Sequence, residues 1–81
     1  MLQSRRRETK ETCIDLVLET EGSGRVDADT GIKLLDMILS TMCRSALFDM
    51  KINAKGDLET GDHHTVEDTG ITLGKTIAQA I

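Results

Sequence analysis

Two adjacent histidines, His63 and His64, stand in the run DHHTVEDTG with Glu67 close behind them, and they are the only imidazoles in 81 residues. An imidazole nitrogen and a carboxylate oxygen are donors that one divalent ion can share. On a helix, His63 and Glu67 at i, i+4 stand on one face, a turn apart. His64, turned by about 100°, points elsewhere, towards another metal or another chain. The competing reading is a polar helix start, with His63 and Glu67 forming a surface pair that contributes about 0.3–0.5 kcal/mol. Two protein ligands are fewer than catalytic zinc, octahedral manganese or iron sites use, so a metal here needs ligands from elsewhere. The local carboxylates are Asp36, Asp57, Asp62 and Asp68, which in an acidic chain serve equally well as caps or solvated charges.

Length limits what can surround such a site. A chain of 81 residues forms one domain at most, because at this size only roughly 60–65% of the unfolded surface is removed from water. Phe48 is the single aromatic, and Trp, Tyr and Pro are absent. The core must be built from Leu, Ile, Val and Met, and self-association is expected. With a net charge of −4 and no basic stripe beyond Arg5, Arg6 and Arg7, the footprint of a nucleic-acid binder is missing, and the triplet is expected to be solvated. Cys13 and Cys43 are too few for a disulfide framework and are expected as buried, reduced thiols. The opening MLQSRRRETKET has no apolar signal core, and no run approaches the roughly 18 apolar residues of a membrane helix. No membrane contact and a cytoplasmic setting are the expectations.

The elements that must position the histidines are read from periodicity. Residues 9–20 alternate, with Cys13, Asp15, Val17 and Glu19 on one face and Ile14, Leu16 and Leu18 on the other, which predicts a half-buried strand. EGSGR then permits a turn, and RVDADT alternates Val26 and Ala28 against charge, which predicts a hairpin with a short second strand. From Thr30 the period lengthens. Ile32, Leu35, Leu39 and Met42, with Ile38 beside them, form a helical stripe capped by Asp29 or Thr30. FDMKINAK (48–55) returns to alternation and predicts a third strand, with Asp49, Lys51, Asn53 and Lys55 facing water. GDLETG is a loop. A second helix starts near Asp62 as N-cap, with a stripe of Val66, Gly70, Leu73, Ile77 and Ala80 or Ile81, and its unfinished apolar end suggests a cut chain. The order predicts an α+β domain with two helices on one face of a mixed three- to four-stranded sheet.

TKET (9–12), DTGIKLLD (29–36), FD (48–49), AKGDL (54–58) and DHHTVEDTGITLG (62–74), in this order and spacing, resemble the N-terminal half of imidazoleglycerol-phosphate dehydratase. The likeness covers nearly all of the chain from Arg7 on. It implies that residues 1–81 form a single domain equivalent to the N-terminal repeat of a duplicated fold, ribosomal protein S5 domain 2-like. It implies dehydration of imidazoleglycerol phosphate to imidazoleacetol phosphate in histidine biosynthesis. Manganese would be the cofactor, a Lewis acid on the substrate's ring nitrogen that stabilises developing negative charge. It also implies His63, His64 and Glu67 as metal ligands, Glu11 at the position of an active-site glutamate, and sites completed between subunits of a homo-oligomer.

The chain departs from the family at two positions. Where the family reads L-D-H-M, this chain has Leu35-Asp36-Met37-Ile38, and where it reads A-R-H-G, this chain has Cys43-Arg44-Ser45-Ala46. Met37 and Ser45 thus stand in place of histidines, and Met37 lies off the apolar stripe, where a core has no need of it. The family's second half, with its own histidines and its phosphate-holding basic residues, has no counterpart here. Two functions follow: half of a metal-dependent dehydratase that is inactive as this chain alone, or a metal-free scaffold or self-assembly module. A small unrelated binding domain is the third, remote alternative.

Overall fold

A computed structural model of the protein describes residues 1–10, 12–56 and 63–80, with the main chain alone at His63. The elements are β1 (Leu2–Glu8), β2 (Thr12–Glu19), β3 (Val26–Asp29), α1 (Lys33–Ala46), β4 (Asp49–Gly56) and α2 (His63–Ala80). The sheet order is β1-β2-β4-β3, with β2 antiparallel to both neighbours and β3 parallel to β4. The α+β class, the mixed sheet and the helices on one face are as the periodicity predicts. No described helix is long and apolar enough to cross a membrane.

Alternation places the central strands. Thr12, Ile14, Leu16 and Leu18 of β2 are buried, as are Met50, Ile52 and Ala54 of β4. The register sets Ile14 opposite Ala54, Leu16 opposite Ile52 and Leu18 opposite Met50, so these side chains make one apolar floor. Leu39 and Cys43 of α1 and Leu73 of α2 close over it, with Val26, Ala28, Leu35, Phe48 and Ile77 packed around them. The other face of the sheet is open to water at Asp15, Val17, Lys51, Asn53 and Lys55. Burial raises the pKa of the Cys43 thiol. Both cysteines are free, and Cys13 is half-buried rather than buried.

The hairpin expected between the first two alternating segments does not form. β3 lies at the far edge, parallel to β4, with Val26 opposite Met50 and Ala28 opposite Ile52. Local hydrogen bonds hold it there. The Asp49 carboxylate accepts the N–H of Arg25 at 2.9 Å and of Ser23 at 3.0 Å, while Met50 N–H donates to the Arg25 carbonyl at 2.9 Å. Those donors, Arg25 first, hold the Asp49 carboxyl below the usual carboxylate range.

β1 has no counterpart among the predicted strands. Arg5 pairs with Leu16 and Arg7 with Ile14, so Gln3, Arg5 and Arg7 face the helices and are half-buried. Their methylene stems extend the floor under α2, which leucines would otherwise have to cover. Of the triplet only Arg6 is solvated, and it holds both Asp15 carboxylate oxygens at 2.9 Å on the open face.

Both helical stripes are rotated from their expected positions. In α1, Leu39 and Cys43 are buried, whereas Ile38 is 54% and Met42 37% exposed. Neither Asp29 nor Thr30 is the cap. The N-cap is Ile32, without a side-chain hydrogen bond. Thr30 organises the approach instead, its hydroxyl accepting from Ile32 N–H at 3.2 Å and donating to Asp36 at 2.6 Å, while its own N–H reaches Asp36 at 3.0 Å. In α2 the buried face is Thr65, Thr69, Thr72, Leu73 and Thr76, and Val66 and Gly70 are exposed. Thr72 and Thr76 satisfy their hydroxyls on the carbonyls of Asp68 and Thr72, each at 2.7 Å. A threonine methyl packs like valine once its hydroxyl bonds the preceding turn. The GDLETG residues after Gly56, the Asp62 cap and Ile81 lie outside the described residues.

Candidate metal and active site

The short turn between β1 and β2 closes on itself through its threonines. Thr9 N–H donates to the Thr12 carbonyl at 2.8 Å, Thr12 N–H to the Thr9 hydroxyl at 3.1 Å, and the two hydroxyls stand 3.0 Å apart. Asp68, in the second turn of α2, reaches the same place. It accepts from the Thr12 hydroxyl, lies 3.5 Å from the Thr9 hydroxyl and forms an ion pair with Arg7 at 3.4 Å. The Thr12 hydroxyl first, and then Arg7, hold its carboxyl below the usual range. Its side chain is only 13% exposed. Gly56, at the end of β4, supplies the seat for the first turn of α2, since a Cβ there would overlap the Thr65 hydroxyl.

The first turns of α2 therefore rest on the end of the sheet where the β1–β2 turn lies. His64 and Glu67 are both exposed there, and at i, i+3 they are neighbours on the helix surface. Glu11 and the His63 side chain lie outside the described residues. Glu11 falls in sequence between Lys10 and Thr12.

The start of α1 shares this end of the sheet, because β3 runs parallel to β4 and Asp29 pairs with Asn53. Between the approach to α1 and the end of β4 lies a depression of about 270 Å³ bordered by Thr30, Gly31, Asn53, Lys55 and Gly56. Met37, in the second turn of α1, is 66% exposed. Ser45 lies about 12 Å farther along the helix axis, at roughly 1.5 Å per residue, near where Gly22 N–H reaches the Leu47 carbonyl at 3.1 Å. The two positions that depart from the family motif are thus both exposed and lie about two turns apart on α1.

Among the described residues, no three His, Cys, Asp or Glu side chains gather as a metal would require. The donors on α2 nevertheless fit a divalent ion in kind, one nitrogen and one oxygen on an exposed turn. Asp36 and Asp68, weighed from sequence as solvated or capping carboxylates, are both taken up by threonines. Spacing alone hid the role of Asp68, because its partners are distant in sequence and become adjacent only when α2 lies across β1 and β2.

The family model of imidazoleglycerol-phosphate dehydratase matches residues 30–81. The imidazoleglycerol-phosphate dehydratase of Brucella suis is 49% identical over 75 residues, which cover 93% of this chain and 37% of that protein. That of Methanosarcina barkeri is 51% identical over 75 residues, covering 93% and 39%. That of Campylobacter fetus is 49% identical over the same length, covering 93% and 40%. The chain thus spans about two fifths of the length of these curated relatives. Residues 63–74 of the matched motif lie in α2, whose first turns rest on the sheet end, and on this match the chain belongs to the imidazoleglycerol-phosphate dehydratase family.

Proposed function

We propose that the chain is a metal-binding half-repeat of a dehydratase of histidine biosynthesis, acting on imidazoleglycerol phosphate only when other chains complete its site. The observation that carries this reading is the joint exposure of His64 and Glu67 on the turns of α2 that Asp68 ties to Thr9 and Thr12. His63, His64 and Glu67 would hold manganese, with Glu11 serving as the acid-base group. When bound, the metal supplies Lewis-acid stabilisation of charge on the substrate's imidazole. The chain's own residues have to orient the substrate and move a proton from carbon, and such positioning supplies roughly 7–11 kcal/mol of barrier reduction. One chain is short of the groups for this. The Met37 thioether is a soft donor poorly matched to manganese, and Ser45 cannot exchange a proton at neutral pH as an imidazole does.

Completion between chains is supported by the outer face of the helices. Leu34 and Met37 are each 66% exposed, Ile38 54%, Met42 37% and Val66 43%. Apolar area of this extent on a small domain favours a partner surface, and a second copy is the simplest one. Among the described residues of the α2 stripe, Leu73 is buried and Ile77 half-buried, so they add little to that surface.

Calorimetric titration with Mn²⁺ tests the proposal. The unmodified chain is expected to bind weakly, Met37→His and Ser45→His to bind more tightly, and Glu67→Ala or His63→Ala not to bind while staying folded. Turnover by the unmodified chain alone, or affinity equal to that of Met37→His, would overturn it. The second reading, a metal-free assembly module, is favoured by Met37 itself, an exposed methionine amid an apolar helix face. Oligomers by sedimentation with no Mn²⁺ binding by any variant would establish that reading instead.

A further inference from the structure

We infer that Asp68 is a positioning residue, a tether that locks the β1–β2 turn to the helix turn that exposes His64 and Glu67. The inference rests on the proposed function for the identity of the groups it aligns, but the tether itself stands on geometry. Asp68 follows Glu67 directly, and the 100° step between them turns Glu67 out to solvent and Asp68 inward. From there its carboxylate takes the Thr12 hydroxyl, approaches Thr9 at 3.5 Å and pairs with Arg7 at 3.4 Å. Thr9 and Thr12 are the residues whose mutual hydrogen bonds close the turn. One carboxylate therefore holds both ends of the turn and the last residue of β1 that faces the helix.

Without this link, α2 would still be seated on Gly56 through Thr65, but the turn would lose the carboxylate that both of its threonines approach. Two loosely related surfaces cannot present donors and an acid-base group to one substrate, because placement errors of about 1 Å already cost about a hundredfold in rate. Partners behind a metal's ligands act on affinity in the same way, and their loss typically weakens binding by about 10–100-fold.

The test combines Mn²⁺ titration with amide hydrogen exchange on the full chain. Asp68→Ala and Thr12→Val are expected to weaken Mn²⁺ binding by about tenfold or more and to speed exchange at the Thr9 and Thr12 amides. Thr12→Ser, which keeps the hydroxyl, is expected to behave like the unmodified chain. Asp68→Asn, the milder variant, keeps an acceptor for Thr12, loses the charge pair with Arg7, and should fall between. A purely structural role would lower stability without distinguishing serine from valine in Mn²⁺ affinity. Folded Asp68→Ala with unchanged exchange in the turn overturns the tether. Faster exchange with unchanged Mn²⁺ affinity overturns the positioning role and leaves the metal reading intact. An unmodified chain without measurable Mn²⁺ binding overturns the proposed function and the positioning role together, and the exchange rates then decide the tether alone.

Discussion

The two helices lie on the same face of the same sheet, yet they distribute polarity in opposite ways. α1 turns Leu39 and Cys43 inward and leaves Leu34, Met37, Ile38 and Met42 in water. α2 turns four threonines inward with Leu73, and its outer side includes His64, Glu67 and the two glycines Gly70 and Gly74, against which no atom packs among the described residues. The difference shows that apolar content identifies a helix without identifying its buried face. Threonine hydroxyls that bond the preceding turn hide their polarity and make a core face. A surplus of apolar side chains, in contrast, spills onto the outside of α1, where it suits a further protein surface.

The contrast can be broken most forcefully at Leu39. Truncation by Leu39→Ala is expected to destabilise the domain by about 2–5 kcal/mol in urea titration. Met37→Ala, two residues away and exposed, should stay within about 0.5 kcal/mol and should weaken self-association by sedimentation. Equal losses at the two sites would mean that α1 packs by another face. Next in size is Gly56→Ala, where the new methyl meets the Thr65 hydroxyl. Thermal melting should show a loss of about 1–3 kcal/mol from overpacking, and unchanged stability would mean that α2 is seated elsewhere.

Within α2 the threonine row is not uniform, and this allows a sharper test. Thr69 buries its hydroxyl without a hydrogen bond among the described residues, whereas Thr72 and Thr76 bond the preceding turn. Thr69→Val removes an unsatisfied polar group and is expected to raise stability by about 1 kcal/mol, while Thr72→Val should not. A gain at both positions, or at neither, would erase the distinction. The smallest effect is expected at the opposite end of the sheet, at Asp49, whose depressed pKa makes its ionised form favourable to folding. That stability is present above the unfolded carboxylate value near about 3.9 and is lost as the pH falls through the lower folded value. Urea midpoints of the unmodified chain and Asp49→Asn should therefore differ at neutral pH and converge under acid.

How much of this was legible in the sequence depends on what each residue conceals. β2 and β4 were legible because Ile14, Leu16 and Leu18, and Met50, Ile52 and Ala54, alternate without exception. β1 was not, because Arg5 and Arg7 contribute to the core with their stems and present themselves to a pattern as charge. The EGSGR glycines announced a turn truly but said nothing about the partner of the next strand, which Asp49 decides from a distance. At the site, the spacing of His63, His64 and Glu67 placed them on the opening turns of a helix, as found for its main chain. The function of Asp68 was invisible, since it depends on Thr9 and Thr12 lying beneath α2.

The central pairing of β2 with β4 also sets an order of events. Residues 12–19 cannot meet residues 49–56 until β3 and α1 have been synthesised and have crossed over, whereas the β1–β2 hairpin can close by itself in about 1–10 μs. A nascent chain thus waits with Ile14, Leu16 and Leu18 uncovered on one side of a two-stranded ribbon. During that wait the guanidinium heads of Arg5 and Arg7 beside them offer a charged, water-loving neighbour that discourages sticking to other chains. The nonlocal closure that follows should place refolding of this domain among slower folders of its size, with a rate set by the arrival of β4.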